Sequence, residues 1–119
     1  MKLEVGMYVR TLFGIKKIHH IDAKKTVWKY LYKINDNNEY FALSDNDIID
    51  ADFDIINIIK EGDYINGERI DSVVPKDICG DEVLDNQHIF TRNDEIYEKN
   101  IKTIVSKEQF KNMEYRIGE

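Results

Sequence analysis

The densest group of ionisable side chains is a set of seven carboxylates within 19 residues. The set comprises Asp45, Asp47, Asp50, Asp52, Asp54, Glu61 and Asp63. Carboxylates at this spacing on a rigid frame can imitate phosphates and so bind the basic groove of another protein. The alternative is a solvated sheet edge whose charges prevent pairing with other chains. The sequence therefore predicts either an acidic partner-binding surface or a protective edge.

A second group combines basic and aromatic side chains in the first third of the chain. It comprises Lys16, Lys17, Lys24, Lys25, Trp28 and Lys29. Lysines interleaved with aromatic rings suit a surface that follows a phosphate backbone and stacks bases. The alternative is that Trp28, Tyr30 and Tyr32 belong to the core while the lysines are solvated. Because the net charge of −6 opposes association with a polyanion, nucleic-acid binding is the second hypothesis.

Metal-ligand patterns are weak throughout the chain. His19 and His20 are neighbours, which point to opposite faces of a strand and so do not reach one ion together. Cys79 is the only cysteine, so the sequence holds no zinc framework. A calcium loop beginning at Asp45 would need Gly at its sixth position and Glu at its twelfth, where Asp50 and Ile56 stand. We expect no metal site.

Catalytic motifs are equally sparse. Neither of the glycine patterns that cradle phosphates occurs. The serines at positions 44, 72 and 106 lack the surroundings of a nucleophile elbow. The thiol of Cys79 has no evident activating neighbour in the sequence. We therefore expect a protein that is not an enzyme and that needs no cofactor.

The composition is that of a single globular domain. The chain has 119 residues, of which 42% are hydrophobic and 34% are charged, enough to bury a core. No apolar run approaches the roughly 20 residues that span a bilayer, and a lone cysteine suits a reducing compartment. We expect a cytoplasmic protein. Residues 1–33 carry a charge of +6, residues 34–98 carry −14 and residues 99–119 carry +2, an asymmetry that concerns partners rather than fold.

The elements that must position these groups are mostly strands. Residues 5–10 alternate with a period of two, which predicts a strand, and a second strand is predicted at 15–22. The segment TVWKYLYKI at 26–34 alternates most clearly and places its three aromatic side chains on one face. The NDNN run at 35–38 predicts a hairpin into a strand at 39–43.

The second half of the chain predicts shorter elements. Isoleucines at helical spacing predict a short helix at 54–61. The pair Asn66-Gly67 predicts a hairpin, because a type I′ turn needs a positive φ twice. Ser106 and Gln109 form a capping-box pattern for a second short helix at 106–113. Residues 75–88 are predicted to form a loop with an optional short strand at 82–84, and further strands are predicted at 89–91, 95–97, 101–105 and 114–117.

Two places in the chain begin with nearly the same residues. Gly6, Tyr8 and Val9 match Gly62, Tyr64 and Ile65 at a constant offset of 56. Chance is one explanation, and the other is a structural repeat with lobes at 1–53 and 54–119. We therefore predict a mainly β single domain of residues 1–119, either an antiparallel SH3-like fold or a two-lobed small β-barrel, with two short helices.

The order of three segments resembles a family of small uncharacterised proteins encoded by phages and prophages of low-GC Gram-positive bacteria. The segments are VGMYVRT near the start, IINIIKEGDYINGERI in the middle and IVSKEQFKNMEYRI at the end. The resemblance spans most of the chain and carries no functional residues. It implies a role in the contest between phage and bacterial host, in which such proteins often occupy a surface of a host protein, as inhibitors of CRISPR nucleases do.

Three functions remain as hypotheses. The first is a non-enzymatic accessory protein that binds and inhibits a host protein in the bacterial cytoplasm, an anti-CRISPR-type inhibitor of a defence nuclease, through its acidic surface. The second is a regulatory module that binds nucleic acid through the lysine-rich first third. The third is a structural or assembly component of a phage particle.

Overall fold

The computed structural model describes residues 2–33, 39–75, 78–79, 82–83 and 86–113. Over these residues the chain is mainly β with antiparallel sheets, as the sequence predicts, and it has one α-helix where two short helices are predicted. The sheets are open, and the described strands do not close into a barrel. The predicted turn at 35–38 and the predicted strand at 114–117 lie outside the described residues.

The first half of the chain forms a five-stranded antiparallel sheet in the order β4-β3-β2-β1-β5, so that β4 and β5 are its edges. A 3₁₀ turn at Asp45–Asp47 connects these two edge strands. A register shift between Ile18 and His20 interrupts the pairing of β2 with β3. The strands are β1 Tyr8–Thr11, β2 Gly14–Ile21, β3 Tyr30–Lys33, β4 Tyr40–Leu43 and β5 Ile48–Asp52.

One face of this sheet carries its own hydrophobic core. Val9, Ile18, Tyr30 and Leu43 are buried together there. Alternation along a strand sends neighbours to opposite faces, so Arg10 points away from Val9 toward the second half of the chain. The 3₁₀ segment Ile55–Ile58 packs against β1 on that side.

The second half forms three small antiparallel sheets, in the orders β13-β6-β7, β12-β11-β8 and β10-β9. A separate core of five isoleucines, at positions 56, 59, 65, 70 and 89, holds this half together. The elements are β6 Tyr64–Ile65, β7 Glu68–Arg69, β8 Ser72–Val74, β9 Ile78–Cys79, β10 Glu82–Val83, β11 His88–Phe90, β12 Glu95–Ile96, β13 Ile104–Val105 and α1 Lys107–Met113. A third 3₁₀ turn lies at Glu98–Asn100.

Several local predictions are confirmed and two are wrong. Asn66 and Gly67 have φ values of 53° and 83°, as a type I′ turn requires. The helix predicted at 106–113 is α1, and Gln109 N donates to Ser106 Oγ in the predicted capping box. The helix predicted at 54–61 is instead the four-residue 3₁₀ segment Ile55–Ile58. The strand predicted from residue 26 begins only at Tyr30.

The two places with matching residues adopt the same turn. Gly6 and Gly62 have φ values of 95° and 96°, a conformation that favours glycine. In each turn the residue after the glycine donates to the carbonyl two residues before it, Met7 to Glu4 and Asp63 to Lys60. The amide of each glycine donates to an isoleucine carbonyl of the returning segment, Ile18 on β2 and Ile70 directly after β7. The similarity covers the turn and the start of the hairpin; a repeat of whole lobes stays a prediction.

A buried ion network joins the two halves. The guanidinium of Arg10 forms a bidentate pair with Asp63 at 2.6 Å for both contacts, and neither side chain is exposed. Arg10 also donates to the Ile58 carbonyl at 2.9 Å and to the carboxylate of Glu108 on α1. The carboxylate of Asp63 accepts two further bonds, from the backbone amides of Lys60 and Lys107. Every charge in the network is therefore satisfied.

This network should make stability depend on acidity through Glu108. Burial alone would raise the pKa of Glu108, but the hydrogen bond from Arg10, a backbone hydrogen bond and the charge of Arg10 together outweigh it and hold the pKa below its ordinary value of 4.5. A group with a depressed folded-state pKa contributes stability above its unfolded pKa and loses it as pH falls through the folded value. We expect the urea concentration at the unfolding midpoint to decrease as the pH is lowered below about 4.5. The decrease should be less steep in Glu108→Gln. Parallel curves for the two proteins would contradict this.

Candidate functional site

The strongest candidate site is an aromatic groove at the outer end of the five-stranded sheet. It is lined by Phe13, Trp28, Tyr32, Phe41, Ala42, Leu43 and Asp47, and it encloses about 620 Å³. The side chains of Phe13, Trp28 and Phe41 are 63%, 53% and 58% exposed. Three large aromatic side chains that face solvent around one groove indicate a binding surface rather than a core.

Phe13 stands at the tip of the tight turn between β1 and β2. Its backbone amide donates to Thr11 Oγ1 at 3.1 Å, and that hydroxyl donates in turn to the carbonyl of Gly14 at 2.7 Å. Thr11 itself is fully buried. The buried hydroxyl thus fixes the turn and leaves the phenyl ring of Phe13 outside.

Trp28 reaches the groove from the loop between β2 and β3. This loop is closed by a hydrogen bond from the Asp22 amide to the Lys29 carbonyl at 2.8 Å. Just before that closure, Trp28 has a φ of 59°. A bulky aromatic residue in the left-handed region is rare and costs roughly 1–2 kcal/mol. Such strain is concentrated at functional sites, and here it presents an exposed indole to the groove.

Tyr32 and Phe41 form the floor of the groove. They are opposite each other on β3 and β4, and their rings meet edge to face with centroids 6.0 Å apart at 84°. The ammonium of Lys16 lies 5.1 Å from the centroid of Tyr32. Cross-strand pairing therefore fixes the floor, while the two loops supply the walls.

Asp47 places a carboxylate at the groove. Its Oδ2 accepts bonds from the amide and the hydroxyl of Ser44, at 2.8 Å and 3.1 Å, which closes a capping box at the 3₁₀ turn. Burial, and then the charge of Asp47, raise the pKa of Tyr32. The phenol is therefore neutral and able to donate at physiological pH.

The seven predicted acidic residues do not form one surface. Asp63 is not on the surface, because its side chain is fully buried with that of Arg10. Asp45 accepts a bond from the Tyr30 hydroxyl at 2.6 Å, which with Lys29 nearby lowers the pKa of Asp45. Asp50 and Asp52 are half-buried on β5, whereas Asp54 and Glu61 are exposed. Only Asp47 lines the groove.

The predicted basic group is also divided. Lys17 lies over the ring of Tyr8, and Lys29 lies over the ring of Tyr30 while approaching Asp45 at 3.6 Å. Lys24 and Lys25 are exposed on the loop that carries Trp28. A second hollow of about 390 Å³ brings together Lys2, Leu3, Ile21, Ala23, Lys25, Lys29 and Tyr30. Trp28 is not in the core, contrary to one alternative drawn from the sequence.

Sequence reasoning missed Phe13 and Phe41. The only available signal was an aromatic residue in the TLFG turn, where a polar residue is usual. In the part of the chain that the structure describes, no three His, Cys, Asp or Glu side chains are arranged to hold a metal ion. None of the described helices has the length and hydropathy to cross a membrane. No protein-family model matches the chain, and no curated protein or solved structure is significantly similar to it.

Proposed function

We propose that this chain is a non-enzymatic binding protein that docks on another protein through the aromatic groove. The observation that carries the proposal is the exposure of Phe13, Trp28 and Phe41 around one groove. Trp28 has a strained backbone conformation there. Aromatic residues of this kind are the usual anchors of protein interfaces. The resemblance to phage accessory proteins gives the biological setting, the capture of a host protein in the cytoplasm of a bacterium.

The partner surface should be basic and partly apolar. Asp47 lies in the groove and Asp45 lies two residues away, within a chain of net charge −6. A host nuclease offers such a surface where it binds nucleic acid, so a defence nuclease of the CRISPR type is the partner we favour, and occupation of its groove would inhibit it.

We also propose that residues 8–52 form an SH3-like sheet. The support is the strand order β4-β3-β2-β1-β5 with a 3₁₀ turn between β4 and β5. In this arrangement the groove lies where β3 and β4 meet the loops after β1 and β2. Residues on a rigid sheet edge are positioned before binding, which reduces the entropic cost of association.

The contribution of Asp47 gives the first binding test. Asp47→Asn keeps an oxygen that accepts the capping bonds and removes the charge, so we expect a partner complex to weaken about fivefold to tenfold at low salt. The difference should shrink as salt is raised, because salt screens exposed charges. The measurement is calorimetric titration of a nuclease retained from host lysate, with Asp54→Asn as the matched control. Equal weakening by both variants would show that the partner does not bind at the aromatic groove.

Nucleic-acid binding is kept as a second candidate because Trp28 is exposed beside the lysine-lined hollow. Lysines 25 and 29 flank the loop that carries the indole, an arrangement suited to a phosphate next to a stacked base. Fluorescence anisotropy with single-stranded and double-stranded oligonucleotides at low salt separates the two candidates. Tight association that is lost in the double variant Lys24→Glu with Lys25→Glu would favour nucleic acid over protein.

A further inference from the structure

We infer that the aromatic groove binds the guanidinium group of an arginine side chain supplied by the partner. This inference rests on the proposed function and specifies which chemical group the groove recognises. Phe13, Trp28, Tyr32 and Phe41 surround the groove with aromatic rings, and Asp47 adds one carboxylate. Aromatic faces carry negative potential and attract cations, most strongly at indole. A purely apolar ligand would leave the carboxylate of Asp47 desolvated and unpaired.

One oxygen of the Asp47 carboxylate is available to a ligand in the groove. Oδ2 of Asp47 is engaged by Ser44, whereas no hydrogen bond to Oδ1 is found among the described residues. Tyr32 lines the same groove, and the oxygen of its hydroxyl can accept a second N–H. A planar group that donates several N–H bonds in a fork can therefore bond Oδ1 of Asp47 and still have donors left for a second acceptor such as Tyr32.

Guanidinium fits this geometry better than ammonium does. It is flat, so it can stack on the indole of Trp28 or the ring of Phe13 while its edge points to Asp47. It is also more weakly hydrated than an ammonium, so it loses less on leaving water. The chain already places the ammonium of Lys16 at the face of Tyr32, which leaves the other rings for the incoming cation.

Three small probes test the assignment directly on the whole protein. N-acetyl-arginine amide, N-acetyl-lysine amide and the neutral isostere N-acetyl-citrulline amide are titrated into isotope-labelled protein, and the indole N–H signal of Trp28 is followed. Trp28 is the only tryptophan, so this signal reports the groove without ambiguity. We expect saturable shifts with the arginine probe at millimolar concentration, about threefold weaker binding of lysine and about tenfold weaker binding of citrulline.

The variants sharpen the result. Asp47→Asn should weaken the arginine probe about tenfold, to the level of citrulline, while Asp54→Asn should leave it unchanged. Equal binding of arginine and citrulline would overturn the inference, because the charge would then contribute nothing. Lysine binding as tightly as arginine would overturn the guanidinium assignment. An unmoved indole signal at saturating concentrations of probe would overturn it as well.

The failure of this inference can be told apart from failure of the proposed function. If Trp28→Gly abolishes partner binding while the arginine probe leaves the indole signal unmoved, the groove docks a partner by other chemistry. If the arginine probe binds as expected while partner binding is unchanged in Trp28→Gly, the groove recognises guanidinium and the partner binds elsewhere.

Discussion

Replacing Asp63 by alanine is expected to lower the free energy of unfolding by about 3–5 kcal/mol, the usual cost of breaking a buried ion pair from one side. The change leaves the guanidinium of Arg10 fully buried with only Glu108 and one carbonyl as partners. It also removes the acceptor for the backbone amides of Lys60 and Lys107. Chemical denaturation monitored by circular dichroism measures the loss.

The matched control is Glu61→Ala, two residues away and exposed, which should change stability by less than about 0.5 kcal/mol. The double variant Arg10→Met with Asp63→Leu should be less destabilised than the sum of its single changes, since neither buried charge is then left alone. A loss of under about 1 kcal/mol in Asp63→Ala would show that the network does not hold the two halves together.

Local chemistry made part of this fold predictable. Asn66 and Gly67 adopt the positive φ values that their residue types favour, and Ser106 caps α1 as its pairing with Gln109 predicts. The alternation at residues 5–10 likewise predicts β1. In each case the interaction that decides the structure joins residues only a few positions apart, so a short stretch of sequence is enough to predict it.

Long-range contacts explain what the sequence did not reveal. Arg10 and Asp63 are 53 positions apart, and Glu108 is 98 positions from Arg10. In the sequence, Asp63 looks like one more member of an acidic run, because a run of charges carries no information about which member is buried. The charge that matters most for folding was therefore assigned to the surface.

The groove was hidden for a related reason. Its aromatic residues come from two turns and two strands, and only the strand pair Tyr32 and Phe41 follows from hairpin register. Trp28 fits the alternation of a strand, but it lies in the loop that the hydrogen bond from Asp22 to Lys29 closes, and its φ is in the left-handed region. The loop between β2 and β3 thus overrides the strand preference of the segment.

Replacing Trp28 by glycine should separate binding from stability, and this is the largest effect that we expect on function. Loss of a central aromatic anchor typically costs at least about 2 kcal/mol of binding, so the affinity for a partner should fall about thirtyfold or more. Glycine adopts a φ of 59° without strain. The strain energy that is removed at position 28 offsets the stabilising contacts that are lost with the half-exposed indole ring. Stability should therefore stay within about 1 kcal/mol of the parent chain.

A tryptophan in a hydrophobic core would behave in the opposite way, since its removal costs about 3–5 kcal/mol of stability. Calorimetric titration and urea unfolding of the same preparation decide between the two. Tyr97→Gly is the control, because Tyr97 is 54% exposed and does not line the groove. If Trp28→Gly unfolds the protein, the indole supports the fold. If it binds the partner as tightly as the parent chain does, strain at Trp28 serves no recognition and the aromatic groove is not the docking site.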